Sequence, residues 1–479
     1  MMTTAHTISS GTSANPTLSS SSSSCSSSMT VPVLIAGGGP VGLYEAYLLT
    51  KMGIQVHIID REMGPSPFSR AIGIHSRSME ILQMSGLIDE FLAQGQSMTD
   101  FSFFMGPKKV ATIPFLGERS STHYGFVLAL EQARTSNILI KELDKLGVRV
   151  NYGWELLDTK VVEESGHHTF VETTIRRALS CEDTTANGRK PIGEVSPLDE
   201  QAGREYEMQV VRSEYLVAAD GGRSTVRHKL NIGFPGRTLI NKVMLCDGTF
   251  ECDMELTGMT FIHGVNKKTL LAFSLSEGIT RFVLEAGQME PDEDISATLQ
   301  DITIEKFEEL ANAIIAPAKL KVKESKWLTI FRVNERRAEH FVHKNRIFLA
   351  GDSAHVHSPA GGQGLNTGLQ DAHNLAWKLA FVLNKVAPEA LLETYQEREA
   401  MADRAIALSS KLLNRNIEMG VISLIRRRIF YALSPIIVPI MKAFGYEPEV
   451  SMLDIHYKEN TLNMAHATQA APAAEFQVG

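Results

Sequence analysis

Residues Arg346–Ala380 read RIFLAGDSAHVHSPAGGQGLNTGLQDAHNLAWKLA. The run Ile347–Ala350 is apolar and has the length of a buried strand, and Gly351-Asp352 ends it with a carboxylate. A glycine-rich loop follows, and then a helix with leucine and alanine at helical spacing. In open α/β sheets, ligands bind where the parallel strands end, and glycines let backbone N–H groups approach a ligand closely. The stretch therefore predicts a site for a negatively charged, ribose-bearing or ring-shaped cofactor.

A second glycine motif lies near the start of the chain. The apolar run 31–36 leads into GGGPVGL, in which Gly37, Gly39 and Gly42 fill the G-x-G-x-x-G pattern. A helix and a second strand follow, and this strand ends at Asp60, 18 positions after Gly42. A carboxylate at that distance can accept hydrogen bonds from an adenosine ribose. The βαβ pattern predicts a dinucleotide site, with a structural glycine turn as the alternative.

A third motif, in the middle of the chain, again has an acidic residue and glycines at the end of a strand. The segment AADGGRSTVR, residues 218–227, places Asp220-Gly221 at the end of an apolar strand. After it the pattern changes to short alternating strands, such as Phe250–Glu255 and Met259–His263, with a helical segment over 302–316. This change predicts a separate, mainly antiparallel sheet inserted before the chain returns to the cofactor domain.

Composition limits the function classes. The formal net charge of −8 gives no general attraction to nucleic acid, and four cysteines without a disulfide pattern fit a reducing, cytoplasmic compartment. The Ser-rich residues 1–28 predict a disordered extension; a transit peptide is the alternative, although the segment has no Arg. Residues 420–445 are apolar but too interrupted to span a membrane, which leaves a helix pair covering the fold, a peripheral membrane contact or a homodimer contact open.

Together the three motifs resemble the class A FAD-dependent aromatic hydroxylases, the p-hydroxybenzoate hydroxylase-like family, and within it the phenol and pentachlorophenol hydroxylase-like branch. The resemblance covers about Val31–Tyr457. It implies an α/β fold in which a discontinuous, Rossmann-like dinucleotide-binding FAD domain carries an inserted, mainly antiparallel β-sheet substrate domain and C-terminal helices. The expected segments are 29–98, 124–230 and 340–400 for the FAD domain, 99–123 and 231–339 for the substrate domain, 401–460 for the helices and 461–479 for a disordered tail.

The resemblance also implies roles for individual residues around FAD. Those expected at the pyrophosphate, the adenosine ribose and the phosphates are Gly37, Gly39, Gly42, Asp60 and Arg70. Gln132 is expected at the ribityl chain, and Asp220 and Gly221 in the segment associated with both FAD and reduced nicotinamide. Asp352 is expected at the ribityl or phosphate end, and Pro359 on the substrate side of the flavin. The backbone groups of Gly364, Leu365 and Asn366 are expected at the pyrimidine edge of the isoalloxazine ring. Longer members of the branch carry a thioredoxin-like third domain, which would begin near Tyr457.

The activity implied is a monooxygenase that uses NADPH or NADH and O2 to hydroxylate a phenolic or other electron-rich aromatic substrate through a C4a-hydroperoxyflavin. A phenolic substrate needs a base or a proton path, and a substrate carboxylate needs a cation. Four side chains are therefore candidates for the catalytic or substrate-orienting residue. These are His263, Arg281, His75 and Tyr124. For each of them a purely structural role is the alternative. No metal site is expected, because the His355-x-His357 pair has no further ligands at suitable spacing.

Two other functions stay open at this point. The same scaffold serves epoxidases and Baeyer–Villiger oxygenases that act on polyketide or terpenoid scaffolds. In a different class, the chain could be a non-catalytic flavin-fold binding protein. The sequence leaves open the substrate, the choice between NADH and NADPH and the oligomeric state.

Overall fold

The computed structural model describes residues 28–117, 120–164, 168–178, 206–264, 268–288, 302–417, 429, 432–440, 443, 448–455 and 457. The predicted N-terminal extension up to residue 27 and the predicted C-terminal tail lie outside these residues. Residues 177–207 are polar and rich in turn formers, which predicts a long exposed loop, and most of them also lie outside the described residues.

The described elements follow in chain order. The strands are β1 Ser28–Ala36, β2 Val56–Asp60, β3 Gly73–Ile74, β4 Gln96–Met98, β5 Asp100–Met105, β6 Lys108–Pro114, β7 Val127–Ala129, β8 Asn151–Tyr152, β9 Glu155–Glu164, β10 His168–Ala178, β11 Tyr206–Ala218, β12 Gly236–Cys252, β13 Met259–His263, β14 Thr269–Ser274, β15 Thr280–Gln288, β16 Leu320–Arg337, β17 Val342–His343, β18 Ile347–Leu349 and β19 His355–Val356. The α-helices are α1 Pro40–Lys51, α2 Ser76–Met84, α3 Ile88–Gln94, α4 Gln132–Lys145, α5 Thr225–Lys229, α6 Ile304–Ile315, α7 Gln363–Leu383 and α8 Glu397–Ile417. Short 3-10 helices span Ser276–Gly278, Gly351–Ser353, Glu389–Gln396 and Glu449–Ser451.

The first sheet is built around parallel strands. Its order is β17-β18-β11-β1-β2-β8, and β10 and β9 extend it from β11. The strand β1 pairs in parallel with β11 and β2, and β11 pairs in parallel with β18. Val33, Leu34 and Ile35 of β1 are completely buried, as expected for a continuous apolar strand in a parallel sheet. This sheet carries the three motifs.

The second sheet is mainly antiparallel. Its order is β19-β16-β12-β15-β14-β13-β5-β6, and only the pair β5–β13 is parallel. Helix α6 packs on it through Phe307, Ile314 and Ile315, which belong to a core separate from that of the first sheet. The predicted insertion of an antiparallel sheet into an α/β domain is confirmed, whereas the exact domain boundaries stay predictions.

Two element predictions were wrong in extent. The strand predicted over Phe250–Glu255 is the end of β12, whose ladder with β16 is shifted by bulges between Asp247 and Gly248 and between Thr249 and Phe250. Each bulge breaks the alternation of apolar and polar residues, so the long strand is not visible as a period of two.

The sequence pattern over Leu128–Leu146 predicts a second amphipathic helix. The observed helix begins only at Gln132, since Val127–Ala129 forms β7 between β3 and β4 in a small third sheet. A short apolar run is ambiguous between strand and helix, and here it is a strand.

The predicted C-terminal helices are preceded by a 3-10 helix. The 3-10 segment Glu389–Gln396 precedes α8, which packs against α7. Within the described residues, no helix has the length and apolar character needed to cross a membrane. The 3-10 segment Glu449–Ser451 returns the chain to α2: the carbonyl of Val450 lies against the ring of His75, and Arg77 donates to the carbonyl of Leu453 at 2.9 Å.

Candidate cofactor and active site

The three sequence motifs meet at one edge of the first sheet. The strands β18, β11, β1 and β2 are neighbours and run parallel, so their carboxyl ends lie side by side. The glycine turn follows β1, Asp220 follows β11 and Gly351 follows β18. The N–H of Ala219 donates to the carbonyl of Ala36 at 2.8 Å, which fixes the second motif against the first. This is the edge at which open α/β sheets bind ligands.

Each glycine of the first turn suits its position for a different geometric reason. Gly37 has a φ of +115°, and a Cβ there would lie 2.2 Å from the carbonyl oxygen of Ala219. A Cβ on Gly42 would lie 2.0 Å from the carbonyl oxygen of Gly37. Gly39, which precedes α1, has no atom within 4 Å of an added Cβ, and no side chain caps this helix. The N-terminus of α1 therefore opens on free space, where its N–H groups and dipole favour an anion.

Two carboxylates stand beside this turn. Asp60 accepts hydrogen bonds from the N–H of Gly38 at 2.6 Å and from that of Glu62 at 2.8 Å, which leaves it further lone pairs for a ligand. Asp220 accepts from the N–H of Val226 at 3.1 Å through one oxygen. Its other oxygen is buried and has no partner among the described residues, and burial raises the pKa of this carboxyl. Both carboxylates therefore keep lone pairs that can accept hydrogen bonds from a ligand.

The loop that carries Arg70 is fixed to the start of α4. The N–H of Ala71 donates to Oε1 of Gln132 at 3.2 Å, and the N–H of Gln132 donates to the carbonyl of Ala71 at 3.0 Å. The side chain of Arg70 is exposed. The structure thus brings these two predicted cofactor residues next to each other.

The loop after β18 ends in a second open helix N-terminus. Gly361 and Gly362 have φ values of +87° and +63°, and Gly362 precedes the 21-residue helix α7 without a side-chain cap. No acidic residue lies in the first turn of α7, so its first N–H groups, including those of Gly364 and Leu365, can stabilise negative charge. Of the other residues predicted here, Asp352 and Pro359 are exposed.

The side chain of Asn366 joins two helix starts, a contact that the sequence analysis did not predict. Its side-chain oxygen accepts from the N–H of His75 at 2.8 Å, and its side-chain nitrogen donates to the carbonyls of Gly73 at 2.9 Å and Gly362 at 2.7 Å. The side chain is fully buried. It therefore ties the start of α2 to the start of α7, while the predicted contact of its backbone with the flavin stays a prediction.

His75 is the catalytic candidate that reaches the α7 N-terminus. Its Nδ1 lies against the carbonyl of Val450, and because a carbonyl can only accept, Nδ1 carries the proton and Nε2 is an acceptor. A Cβ on Gly362 would lie 3.3 Å from this Nε2. Burial lowers the pKa of His75 to about 4, against a smaller opposing effect of the Val450 hydrogen bond. The ring is therefore neutral at neutral pH.

Arg281 is engaged in a buried ion pair. Its guanidinium binds both carboxylate oxygens of Asp247, at 2.7 and 2.6 Å. It also donates to the carbonyl of Arg70 at 3.0 Å and to that of Ser69. Its charge is thus neutralised within the protein, and the geometry favours a role in joining the second sheet to the loop that carries Arg70.

The two remaining candidates lie elsewhere. His263 is on β13, and its Nδ1 is 3.0 Å from the hydroxyl of Thr269. Tyr124 receives a hydrogen bond on its carbonyl from Ser76 at 2.8 Å, and burial, followed by the carboxylate of Asp89, raises the pKa of its phenol.

A buried network behind the glycine loop was missed by the sequence analysis. Asp371 of α7 accepts from Nε of Arg398 at 2.7 Å, from the N–H of Gly351 at 3.0 Å and lies 2.6 Å from Nε2 of His355. All these side chains are buried. Burial alone would raise the pKa of Asp371, but Arg398 and His355 lower it below its usual range. An aspartate on the apolar face of a helix signals such a partner, although nothing in the local sequence identifies Arg398.

His357 extends this network toward the cofactor edge. Its ring is stacked on that of His355, with 6.2 Å between centroids and 8° between planes. Its Nε2 is buried and has no partner among the described residues, and a Cβ on Gly364 would lie 3.9 Å from its Cε1. Burial and, second, the neighbouring His355 lower the pKa of His357. Within the described part of the chain, no group of three His, Cys, Asp or Glu side chains is arranged to hold a metal ion.

Comparison with known proteins decides the family. A family model described as "FAD binding domain" matches residues 30–409, well over half of the chain. The chain belongs to this FAD-binding family. The resemblance to class A FAD-dependent aromatic hydroxylases is thereby confirmed.

Individual members of the family show how far the likeness extends. The chain is 32% identical over 417 residues to 6-methylpretetramide 4-monooxygenase of Streptomyces rimosus, which covers 86% of this chain and 65% of that protein. It is 33% identical over 378 residues to rifampicin monooxygenase of Streptomyces venezuelae, covering 78% and 69%. The chain thus spans about two thirds of the length of these relatives. The crystal structure of p-nitrophenol 4-monooxygenase from Pseudomonas putida superposes with a TM-score of 0.70 at 23% identity, covering 88% of this chain and 97% of that one, which confirms the fold.

Proposed function

We propose that this protein is an FAD-dependent monooxygenase that uses NADPH or NADH and O2 to hydroxylate a phenolic or other electron-rich aromatic substrate. The observation that supports it is the convergence of three motifs, far apart in the chain, at one edge of the first sheet. The monooxygenase names of the relatives above agree with this activity.

The residues at this edge fit FAD. The open space at Gly39 and the uncapped start of α1 suit a pyrophosphate, and the unpartnered oxygen of Asp220 needs a donor that a cofactor hydroxyl or amide can supply. Asp60 would hold the adenosine ribose, and the first N–H groups of α7 would face the pyrimidine edge of the isoalloxazine ring. When bound, FAD supplies the electron transfer from reduced nicotinamide to O2 that amino-acid side chains cannot perform.

The protein's own contribution is to orient groups and hold charge. The N–H groups at the start of α7 are fixed in place by two left-handed glycines, so they stabilise negative charge on the ring without reorganisation. The acceptor Nε2 of His75 lies beside Gly362 and would receive the hydrogen bond of a phenol hydroxyl. Because the pKa of His75 is about 4, the ring orients the phenol rather than storing its proton.

The test is a turnover assay on the purified protein loaded with FAD. We expect a phenol to accelerate the oxidation of NADPH or NADH and mass spectrometry to find one added oxygen atom in the product. An epoxide or a ring-expanded ester would instead support the epoxidase or Baeyer–Villiger alternatives. Retained FAD with no substrate-stimulated oxidation of either nicotinamide across a panel of phenols and aromatic acids would support the non-catalytic binding protein.

We also propose that the C-terminal helical region contacts an anionic membrane surface. Residues 432–440 are helical, and Leu433, Ile436 and Ile440 are 45%, 64% and 52% exposed, as is Ile429 at 54%. The surrounding sequence 419–446 carries three Arg and one Lys and no acidic residue. An exposed apolar helix face within a basic stretch of sequence is typical of segments that bind anionic lipid.

A vesicle flotation assay tests this contact. Vesicles of phosphatidylcholine with phosphatidylserine are expected to carry the protein upward, and pure phosphatidylcholine vesicles or high salt are expected to reduce this. Ile436→Asp should abolish flotation. Equal recovery of Ile436→Asp and the unsubstituted protein would contradict the proposal, as would a dimer in solution that Ile436→Asp dissociates.

A further inference from the structure

The second sheet has two faces with different neighbours. One face packs under α6, where Phe307 and Ile314 share a core with Ile262, Leu270 and Phe282 of β13, β14 and β15. Side chains alternate along a strand, so the residues next to these three point to the opposite face. Those residues are Phe261, Leu271 and Val283.

The opposite face is turned toward the FAD-binding edge. Arg281 of β15 donates to the carbonyl of Arg70, and the ring of Trp327 on β16 lies 5.5 Å from that of Phe68. Both contacts join this face to the loop that carries Arg70. A molecule lying on the face would therefore be near the proposed cofactor.

This face carries an apolar row that crosses the strands. The register pairs Phe103 with Phe261, Phe261 with Leu271, Leu271 with Val283 and Val283 with Leu245. Phe103 and Phe261 stack with 5.0 Å between centroids, and all but Leu245 are half-buried. Four steps between neighbouring strands, each about 4.8 Å, make the row roughly 19 Å wide. That width exceeds a single aromatic ring and suits several fused rings.

The polar groups next to this row are already engaged with one another. On one side, Arg281 is neutralised by Asp247. On the other side, His263 is hydrogen-bonded to Thr269, and Glu285 accepts from the side chain of Asn241 at 2.6 Å. A carboxylate placed on the row would lose its hydration without meeting a matched cation among these groups, and that loss is costly.

We infer that this apolar row is the substrate platform and that it selects uncharged aromatic molecules of two or more fused rings against aromatic carboxylates. The inference rests on the proposed monooxygenase function, which it narrows to a substrate class. The platform supplies apolar area and ring contacts, while the hydroxyl of the substrate is oriented by His75.

A matched pair of ligands tests the charge selection directly. We would titrate the FAD-loaded protein with 2-naphthol and with 6-hydroxy-2-naphthoate by calorimetry. The neutral naphthol is expected to bind at least about 100-fold more tightly, because the acid differs only by the buried carboxylate. It should also bind at least about tenfold more tightly than phenol, owing to the second ring. Equal or tighter binding of the acid or of phenol would overturn the inference, as would no binding of 2-naphthol.

Two lysine substitutions on β14 test whether the apolar row causes the preference for the neutral naphthol. Leu271→Lys places a cation on the platform and is expected to reduce the preference for naphthol over the acid by about tenfold or more. Ser274→Lys places the same charge on the same strand with the opposite orientation and should leave the preference unchanged. Thermal unfolding verifies that each variant is folded. A folded Leu271→Lys protein with the original preference would exclude this row as the platform.

Product analysis keeps the two proposals apart. If 2-naphthol binds with the expected preference but is neither oxygenated nor able to stimulate oxidation of NADPH or NADH, the monooxygenase proposal fails while the binding preference stands. If both naphthols are oxygenated with similar affinity, the monooxygenase proposal stands and the inferred selection by charge is wrong.

Discussion

The two large sheets differ in where their polar groups lie. In the first sheet the interior strands are apolar, and carboxylates and helix N-termini gather at the edge where the parallel strands end. In the second sheet the buried ion pair Arg281–Asp247 is neutralised internally, and one face carries an apolar row. The first sheet therefore suits an anionic cofactor held by fixed dipoles, and the second suits a neutral ligand held by contact area. The following experiments test this division.

The largest effect on stability is expected at Asp371 of the first sheet's helix. Asp371→Asn leaves Arg398 completely buried without its counter-charge, so the free energy of unfolding should fall by about 3–5 kcal/mol. Urea denaturation of the protein without FAD measures this. As a control, Glu389→Gln removes an ion pair with Arg346 whose Glu389 side chain is 45% exposed, and should cost less than about 1 kcal/mol. Equal losses would show that the buried network does not stabilise the first sheet.

The next largest effect is the pH dependence of the free energy of unfolding that comes from His75. His75 is neutral in the folded protein, with a pKa of about 4, but its pKa is near 6.5 in the unfolded chain. As the pH falls from 6.5 to 4, only the unfolded state takes up the proton, so the free energy of unfolding falls by roughly 3 kcal/mol through this residue. His75→Asn keeps a donor toward the Val450 carbonyl but cannot titrate. Its denaturation midpoint should depend less on pH over this window; an unchanged dependence would contradict the assignment.

The smallest effects on stability are expected from two substitutions on opposite faces of the second sheet. Phe261→Leu removes a ring from the platform and should weaken the binding of 2-naphthol by about tenfold while costing about 1 kcal/mol of stability. Ile262→Val, on the same strand but under α6, should cost a similar amount of stability and leave binding unchanged. Calorimetry and urea denaturation measure the two quantities. Weaker binding in Ile262→Val alone would reverse our assignment of the faces.

The sequence predicted the first sheet better than the second because its signals are local. The glycine turn, α1 and Asp60 are neighbours in the chain, and the helix predicted to follow the glycine turn is observed as Pro40–Lys51. The pairing of β12 with β16 joins segments on opposite sides of three other strands and α6, and bulges hide its alternation. Similarly, the partner of Asp371 lies 27 residues away on another helix. Patterns of a few residues cannot identify such partners.

Substitution of Gly39 tests whether FAD binds at the edge of the first sheet. This glycine has an extended backbone that any residue can adopt, and an added Cβ meets no atom within 4 Å. Gly39→Val should therefore leave the unfolding temperature unchanged but fill the space for the pyrophosphate, so that calorimetric titration of the FAD-free protein shows at least about 100-fold weaker FAD binding. Gly125→Val, at another open glycine, should bind FAD normally. Tight FAD binding by Gly39→Val would show that FAD does not bind at this edge.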